Sequence, residues 1–275
     1  MAVHYLQEMV LHYSNKVLKM GDFIQGSRYL LSGFKLINQP GVRRFAYIPI
    51  LINTLLFAGA IWLGINQFDY WMTQLTPTWL PEWLSNALMW ILWPLFAVLI
   101  VLIVFFTFSI LANIVAAPFN GLLAEAVEKR LSNQSPPEQT LWQLIADTPR
   151  MIFNELRKLA YLLKWMIPLF ILSWIPGLNL IAPLLWLFFS SWTLALDYHD
   201  YPMGNHLMGF KQQRELLRTK RSLALGFGMT TLGATMIPVI NFLIIPVAVA
   251  GATALYVGKL QKNNKIDFNN SFPTK

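Results

Sequence analysis

The segment of this chain best equipped for chemistry is Pro40-Gly41-Val42-Arg43-Arg44. A proline and a glycine turn the backbone where a helix is about to open. That leaves amide N–H groups at Gly41, Val42 and Arg43 without a helical acceptor. Free amides at a helix N-terminus bind oxyanions, and the helix dipole adds positive potential there. Two adjacent guanidiniums extend the capacity, since each can form charge-assisted, bidentate bonds to an oxyanion edge. Arg28 and Lys35, on the helix before the turn, can return to the same place. The competing reading makes Arg43 and Arg44 topology anchors whose stems snorkel to an interface.

Other polar residues stand inside apolar runs. Asn53 and Asn113 need a partner helix or a wet path if their surroundings are hydrocarbon. Asn120 and Glu125 follow the second of these runs. Glu125 would repel an anion, so it is expected to pair with a base or to gate a mouth. Asn179 and Asn241 follow prolines at matching breaks and are expected to cap the broken helix ends rather than to touch an ion. His199-Asp200 is a lone pair suited to a surface or packing role. His4 and His12 lack a carboxylate spaced to complete a metal site. No HExxH or GxSxG motif occurs, and Gly226-x-Gly228-x-x-x-x-Gly233 lacks the Lys-Ser/Thr of a phosphate-binding loop. No catalytic residue, metal or cofactor is therefore expected, and the chain reads as a non-enzyme.

The elements that must position these residues follow from charge. Phe45 to Phe119 contains none of the chain's 21 lysines and arginines. Its two strongly apolar segments are joined by a linker whose only charges are Asp69 and Glu82. The positive-inside rule produces this asymmetry when a chain crosses a membrane and returns. Phe45–Phe68 is long enough to span, and Asn86–Phe119 is long enough to tilt, kink at Pro94 or project. Trp71, Trp79 and Trp83 make the linker an outer interfacial loop. Composition agrees: 56% of residues are hydrophobic and 12% charged, against about 25% charged in soluble domains. The net charge of +8 flanks apolar segments and forms no nucleic-acid-binding motif, so anionic lipid is the expected partner. With no cysteine, disulfide and zinc–thiolate frameworks are excluded.

Before this hairpin, Val3, Leu6, Val10, Tyr13, Val17 and Met20 make one helical face, and a second helix is expected over Gly26–Asn38. After it, residues 120–164 turn amphipathic. Leu122, Leu123, Val127 and Leu131 share a face above Glu125 and Glu128, and Pro149 is expected to open another helix. Two interrupted apolar stretches follow. Trp165–Leu196 breaks at Ile175-Pro176-Gly177-Leu178-Asn179, and Leu223–Val257 breaks at Ile237-Pro238-Val239-Ile240-Asn241. Each is too short for two full crossings, which need roughly 40 residues or more. A single crossing each would put the bases between Lys211 and Arg221 outside. Helical hairpins that enter from the cytoplasm, turn and return satisfy both length and charge, and paired interruptions of this kind point to a transport site. Ordinary helix pairs with short spans are the alternative.

Four stretches carry a resemblance: Gly33-x-Lys35-Leu36-Ile37-x-Gln39-Pro40-Gly41-Val42-Arg43-Arg44-Phe45, Ala116-Ala117-Pro118-Phe119-Asn120-Gly121-Leu122-Leu123-Ala124-Glu125, Asp200-Tyr201-Pro202, and Met236-Ile237-Pro238 with Pro246-Val247-Ala248-Val249. In order and spacing the chain resembles the bacterial sulfate permease family CysZ over about residues 25 to 260. The resemblance implies an all-α integral membrane protein of the bacterial inner membrane, multi-pass with both termini cytoplasmic. It has two long transmembrane helices, two re-entrant hairpins and amphipathic cytoplasmic helices. One membrane domain is expected over 1–275: amphipathic helices at 1–44, the two-pass hairpin at 45–119, cytoplasmic helices at 120–164, re-entrant hairpins at 165–196 and 223–257 about a cytoplasmic connection at 197–222, and a basic tail at 258–275. The implied function is sulfate uptake for cysteine biosynthesis by a homo-oligomer, with sulfite or related oxyanions as further candidates. On that basis Gly41, Val42, Arg43, Arg44, Arg28 and Lys35 would bind sulfate, and Asn53, Asn113, Asn120 and Glu125 would line its pathway. A non-transporting membrane scaffold built on half-inserted helices is the alternative.

Overall fold

The computed structural model describes residues 21–75, 81, 90, 94–95, 97–99, 101–102, 118–133, 135–137 and 141–261. The helix expected over residues 3–20, Asn113 and nearly all of the second span, and the tail past Gln261 lie outside these residues. Every regular element among the described residues is helical. They are α1 (21–36), α2 (Arg43–Leu75), α3 (118–132), α4 (Leu141–Trp174), α5 (Ala182–Asn205), α6 (Phe210–Thr219), α7 (Arg221–Thr235) and α8 (Pro238–Leu255), which runs into a π turn at Tyr256–Leu260. By packing the chain divides into two compact units, one of residues Phe45–Phe119 and one of the remainder.

In the first unit α2 dominates. Its portion Arg43–Leu63 is long and apolar enough to cross a membrane, and Leu51, Leu55, Ile61 and Trp62 are exposed. A large uncovered apolar face marks a surface that meets a membrane or another protein. The helix continues to Leu75, past the expected end at Phe68, into the stretch read as an interfacial loop. Asn66 explains part of the extension, because its Nδ2 donates to the Trp62 carbonyl one turn back instead of breaking the helix.

In the second unit α8 is the core: Val247, Ala248, Val249, Ala250 and Leu255 have no exposed surface. Leu243–Leu260 also has the length and apolarity of a membrane span, yet most of it is buried inside the unit. Glycines let the helices of this unit close on one another. α1 and the residue that follows it bury Gly26, Leu30, Gly33 and Ile37, one face at spacings of four and three. A Cβ at Gly26 would meet the Leu223 carbonyl, one at Gly33 the Val247 carbonyl, and one at Gly228 the Ser191 carbonyl. Backbone-to-backbone approach of this kind lets helices associate where no hydrophobic effect drives them together. It also explains why α1 does not begin at Gly26, as expected, but already runs from residue 21: that glycine is a packing contact inside the helix.

Both interruptions are turns between helices. α4 ends at Trp174, Gly177 takes φ +87°, and a single 3-10 turn leads to α5; α7 ends at Thr235 and α8 restarts with Pro238 in its first turn. The expected asparagine caps do not form. The capping positions are Gly177 and Ile237, neither with a side-chain cap, while Asn179 and Asn241 lie inside the new elements. Pro149 likewise does not open a helix but lies within α4, which starts at Leu141. The 34 residues of α4 extend about 50 Å. Ile152, Leu156, Leu159, Leu163, Ile167, Phe170 and Trp174 stand exposed along one face of it.

Candidate anion site and its polar surroundings

The turn from α1 to α2 places Gly41 at φ +86°, a conformation that favours glycine. Two of the amides expected to be open are not. The N–H groups of Val42 and Arg43 both donate to the Gln39 carbonyl at 3.1 Å, and Val42 is buried. The tight turn that opens α2 thus consumes its own donors. Anion capacity here comes from side chains. Arg43 and Arg44 are exposed at the first positions of α2, and Arg43 has no ion pair among the described residues.

Lys35 and Arg28 are both exposed on α1. Lys35 sits in its last turn, next to the loop. Arg28 is two turns earlier, about 10 Å down the axis. Lys35 also walls a groove of about 730 Å³ with Tyr29, Ser32, Leu131, Ser132 and Gln261.

The pathway candidates separate. Asn53 keeps a buried Oδ1 with no hydrogen-bond partner among the described residues. Asn120 is committed: it is buried, and its Nδ2 donates to the Tyr201 hydroxyl at 3.2 Å. Glu125 is half-buried and makes none of the ion pairs found among the described residues, contrary to the expected pairing with a base.

The acid that does pair is Glu128, whose side chain has no exposed surface. His206 Nε2 lies 2.8 and 3.0 Å from its two oxygens, and Gln261 Nε2 donates to it at 3.3 Å. A carboxylate only accepts, so Nε2 carries a proton in this contact. Glu128 stands four after Ala124 and one after Val127, on the buried face, whereas Leu122 and Leu131 are exposed.

A second cluster centres on Lys158. Its Nζ is 2.7 Å from Asp197, 3.6 Å from Asp200 and 3.8 Å from Glu155. Burial lowers the pKa of the ammonium, but the Asp197 carboxylate and then Asp200 and Glu155 outweigh it and hold it above the ordinary lysine value. Burial, with Tyr201 and Asp197 adding to it, pushes the neighbouring Tyr198 phenol up to about 12. His199 points the other way into the core. Its Nδ1 donates to the Ala195 carbonyl at 2.7 Å, its ring meets the edge of Phe227, and burial lowers its pKa to about 4.

The described residues thus hold exposed cations at the start of a helix long and apolar enough to cross a membrane, an asparagine within it whose oxygen lacks a partner among them, and paired acids in the second unit. Against protein-family models, residues 29–246 match the family described as Sulfate transporter CysZ/Etoposide-induced protein 2.4. The chain belongs to this family. Membership makes it a membrane protein of a sulfate-transporter family. Of the six residues expected to hold the anion, all but Arg28 fall inside the match.

Proposed function

We propose that this protein mediates sulfate uptake across the bacterial inner membrane and so feeds cysteine biosynthesis. It does so as a permease without enzymatic activity, with both termini cytoplasmic. The observation that carries the reading is the exposed Arg43–Arg44 pair at the start of a helix of spanning length, within a chain of a sulfate-transporter family. Sulfate sheds water against the two guanidiniums, which replace its hydration with bidentate charge-assisted bonds. Exposed guanidiniums bind without the grip of a buried site, so the anion can leave again. Asn53 offers a further polar group along α2. α4–α5 and α7–α8 act as re-entrant hairpins, and further copies of the chain cover their uncovered apolar surfaces. Sulfite and related oxyanions fit the same chemistry.

Uptake of labelled sulfate into liposomes holding the purified protein tests this. Saturable uptake should fall about tenfold or more in Arg43→Ala/Arg44→Ala, the worth of a lost charge-assisted bond. Uptake unchanged in that variant would return the arginines to topology. The exposed apolar stripe of α4 favours a second reading, a scaffold that works by lying half-inserted in the bilayer. Folded, inserted protein with no uptake above empty vesicles would establish the scaffold instead.

A further inference from the structure

Arg214, on α6, has no role in the pathway just described. Its Nε is buried and has no hydrogen-bond partner among the described residues, and none of the ion pairs among them includes it. Asp197 and Asp200 face Lys158, and Asp200 also accepts from Gln213 at 2.7 Å. The guanidinium instead lies over a shelf of aromatic rings, with Cζ 5.1 Å from the centre of Tyr161 and 5.9 Å from that of Phe210. The two rings pack at 5.6 Å, and Trp192 Nε1 donates to the Tyr161 hydroxyl, which fixes the shelf. A cation held over aromatic rings with an unspent donor is set up for an oxyanion edge.

The level of the shelf identifies the oxyanion. Lys164 is the last charge on α4, and from Trp165 the chain carries none until Asp197 on α5. Tyr161 and Trp192 therefore stand where the charged and apolar parts of both helices meet, the depth that tyrosine and tryptophan occupy at a membrane surface. α6 is itself amphipathic: it buries Phe210, Gln213, Leu216 and Leu217 and exposes Lys211 and Arg218, on the Arg214 side at i−3 and i+4. Helices of this pattern lie in the interface and attract anionic lipid.

We infer that Arg214 on its Tyr161–Phe210 shelf binds the phosphate of an anionic glycerophospholipid, with Lys211 and Arg218 adding attraction and the acyl chains running along α4 and α5. The test titrates delipidated, detergent-solubilised full-length protein with phosphatidylglycerol, with phosphatidylcholine or with inorganic phosphate. Bound lipid is counted by native mass spectrometry and the thermal midpoint is followed. Wild type should take up phosphatidylglycerol in preference to phosphatidylcholine and gain stability, with no gain from inorganic phosphate. Arg214→Ala should bind the anionic lipid at least about tenfold more weakly, the worth of one charge-assisted bond. Arg214→Lys, which keeps the charge and secures a folded comparison, should lose part of the affinity because the planar fork is gone. Unchanged lipid stoichiometry and affinity in both variants would overturn the inference. An equal gain from inorganic phosphate that Arg214→Ala abolishes would also overturn it, in favour of a free-anion site.

Discussion

His206 Nε2 stands 2.8 Å from Oε1 of Glu128, a carboxylate with no exposed surface, while the imidazole side chain keeps about a fifth of its own. Because only the acid is sealed, the two halves of the pair are unequal. His206→Ala strands a buried charge with Gln261 alone, and should cost about 3–5 kcal/mol. Glu128→Ala leaves a histidine that reaches water and should cost less, about 1–3 kcal/mol. Denaturant titration in detergent measures both. Equal losses would contradict the asymmetry, and the double variant should lose less than the two single losses combined.

His199 gives a pH signature. Its folded pKa of about 4 lies below the ordinary histidine value of 6.5, so the charged form is disfavoured by folding. The contribution is complete above pH 6.5. As pH falls from there the unfolded chain takes up the proton first, and stability is lost down to about pH 4, then no further. The total is about 3 kcal/mol. His199→Leu should remove that slope, which appears as the difference between wild type and variant unfolding free energies from pH 7.5 to 4.

Three glycines should respond differently to alanine. Gly228→Ala drives a Cβ into the Ser191 carbonyl where α5 packs most extensively against α7, and overpacking there should cost about 3 kcal/mol or more. Gly41→Ala meets no neighbouring atom but must hold φ +86°, at about 1–2 kcal/mol. Gly59 is helical with open space around it, so Gly59→Ala should stabilise by about 0.5–1 kcal/mol. Thermal midpoints of the three variants in one detergent give the ranking.

Asn53 and Asn120 should part company in transport. Asn53→Leu removes an uncommitted buried oxygen from α2, so sulfate uptake should fall several-fold with the thermal midpoint unchanged or raised. Asn120→Ala removes the bond to Tyr201, so the midpoint should drop, by about 1 kcal/mol in stability, and uptake only in proportion to folded protein. Parallel uptake and melting assays on both variants decide it. Loss of uptake without loss of stability in Asn120→Ala would make it a pathway residue.

Charge and hydropathy made the membrane class, the helical turns at Pro176 and Pro238 and the turn at Gly41 legible in the sequence, because each depends on residues within a few positions. What stayed hidden is long-range. Val42 and Arg43 looked like free donors because nothing local announces that Gln39 will accept from both. Glu128 looked like a solvated charge because its partners are 78 and 133 residues away. Pro149 looked like a helix start because a proline in a helix interior normally costs about 3 kcal/mol, a penalty that α4 absorbs within 34 residues.

Leu243–Leu260 has one more implication, for biogenesis. The insertion machinery judges a nascent segment by its own apolarity, and by that criterion this one qualifies to enter lipid. In the finished molecule most of it touches protein instead. A segment that entered lipid first would exchange it for α1, α5 and α7, and so change surroundings after insertion. The glycine contacts that close over it are then late events in assembly, and damage there would leave a chain correctly inserted but never locked.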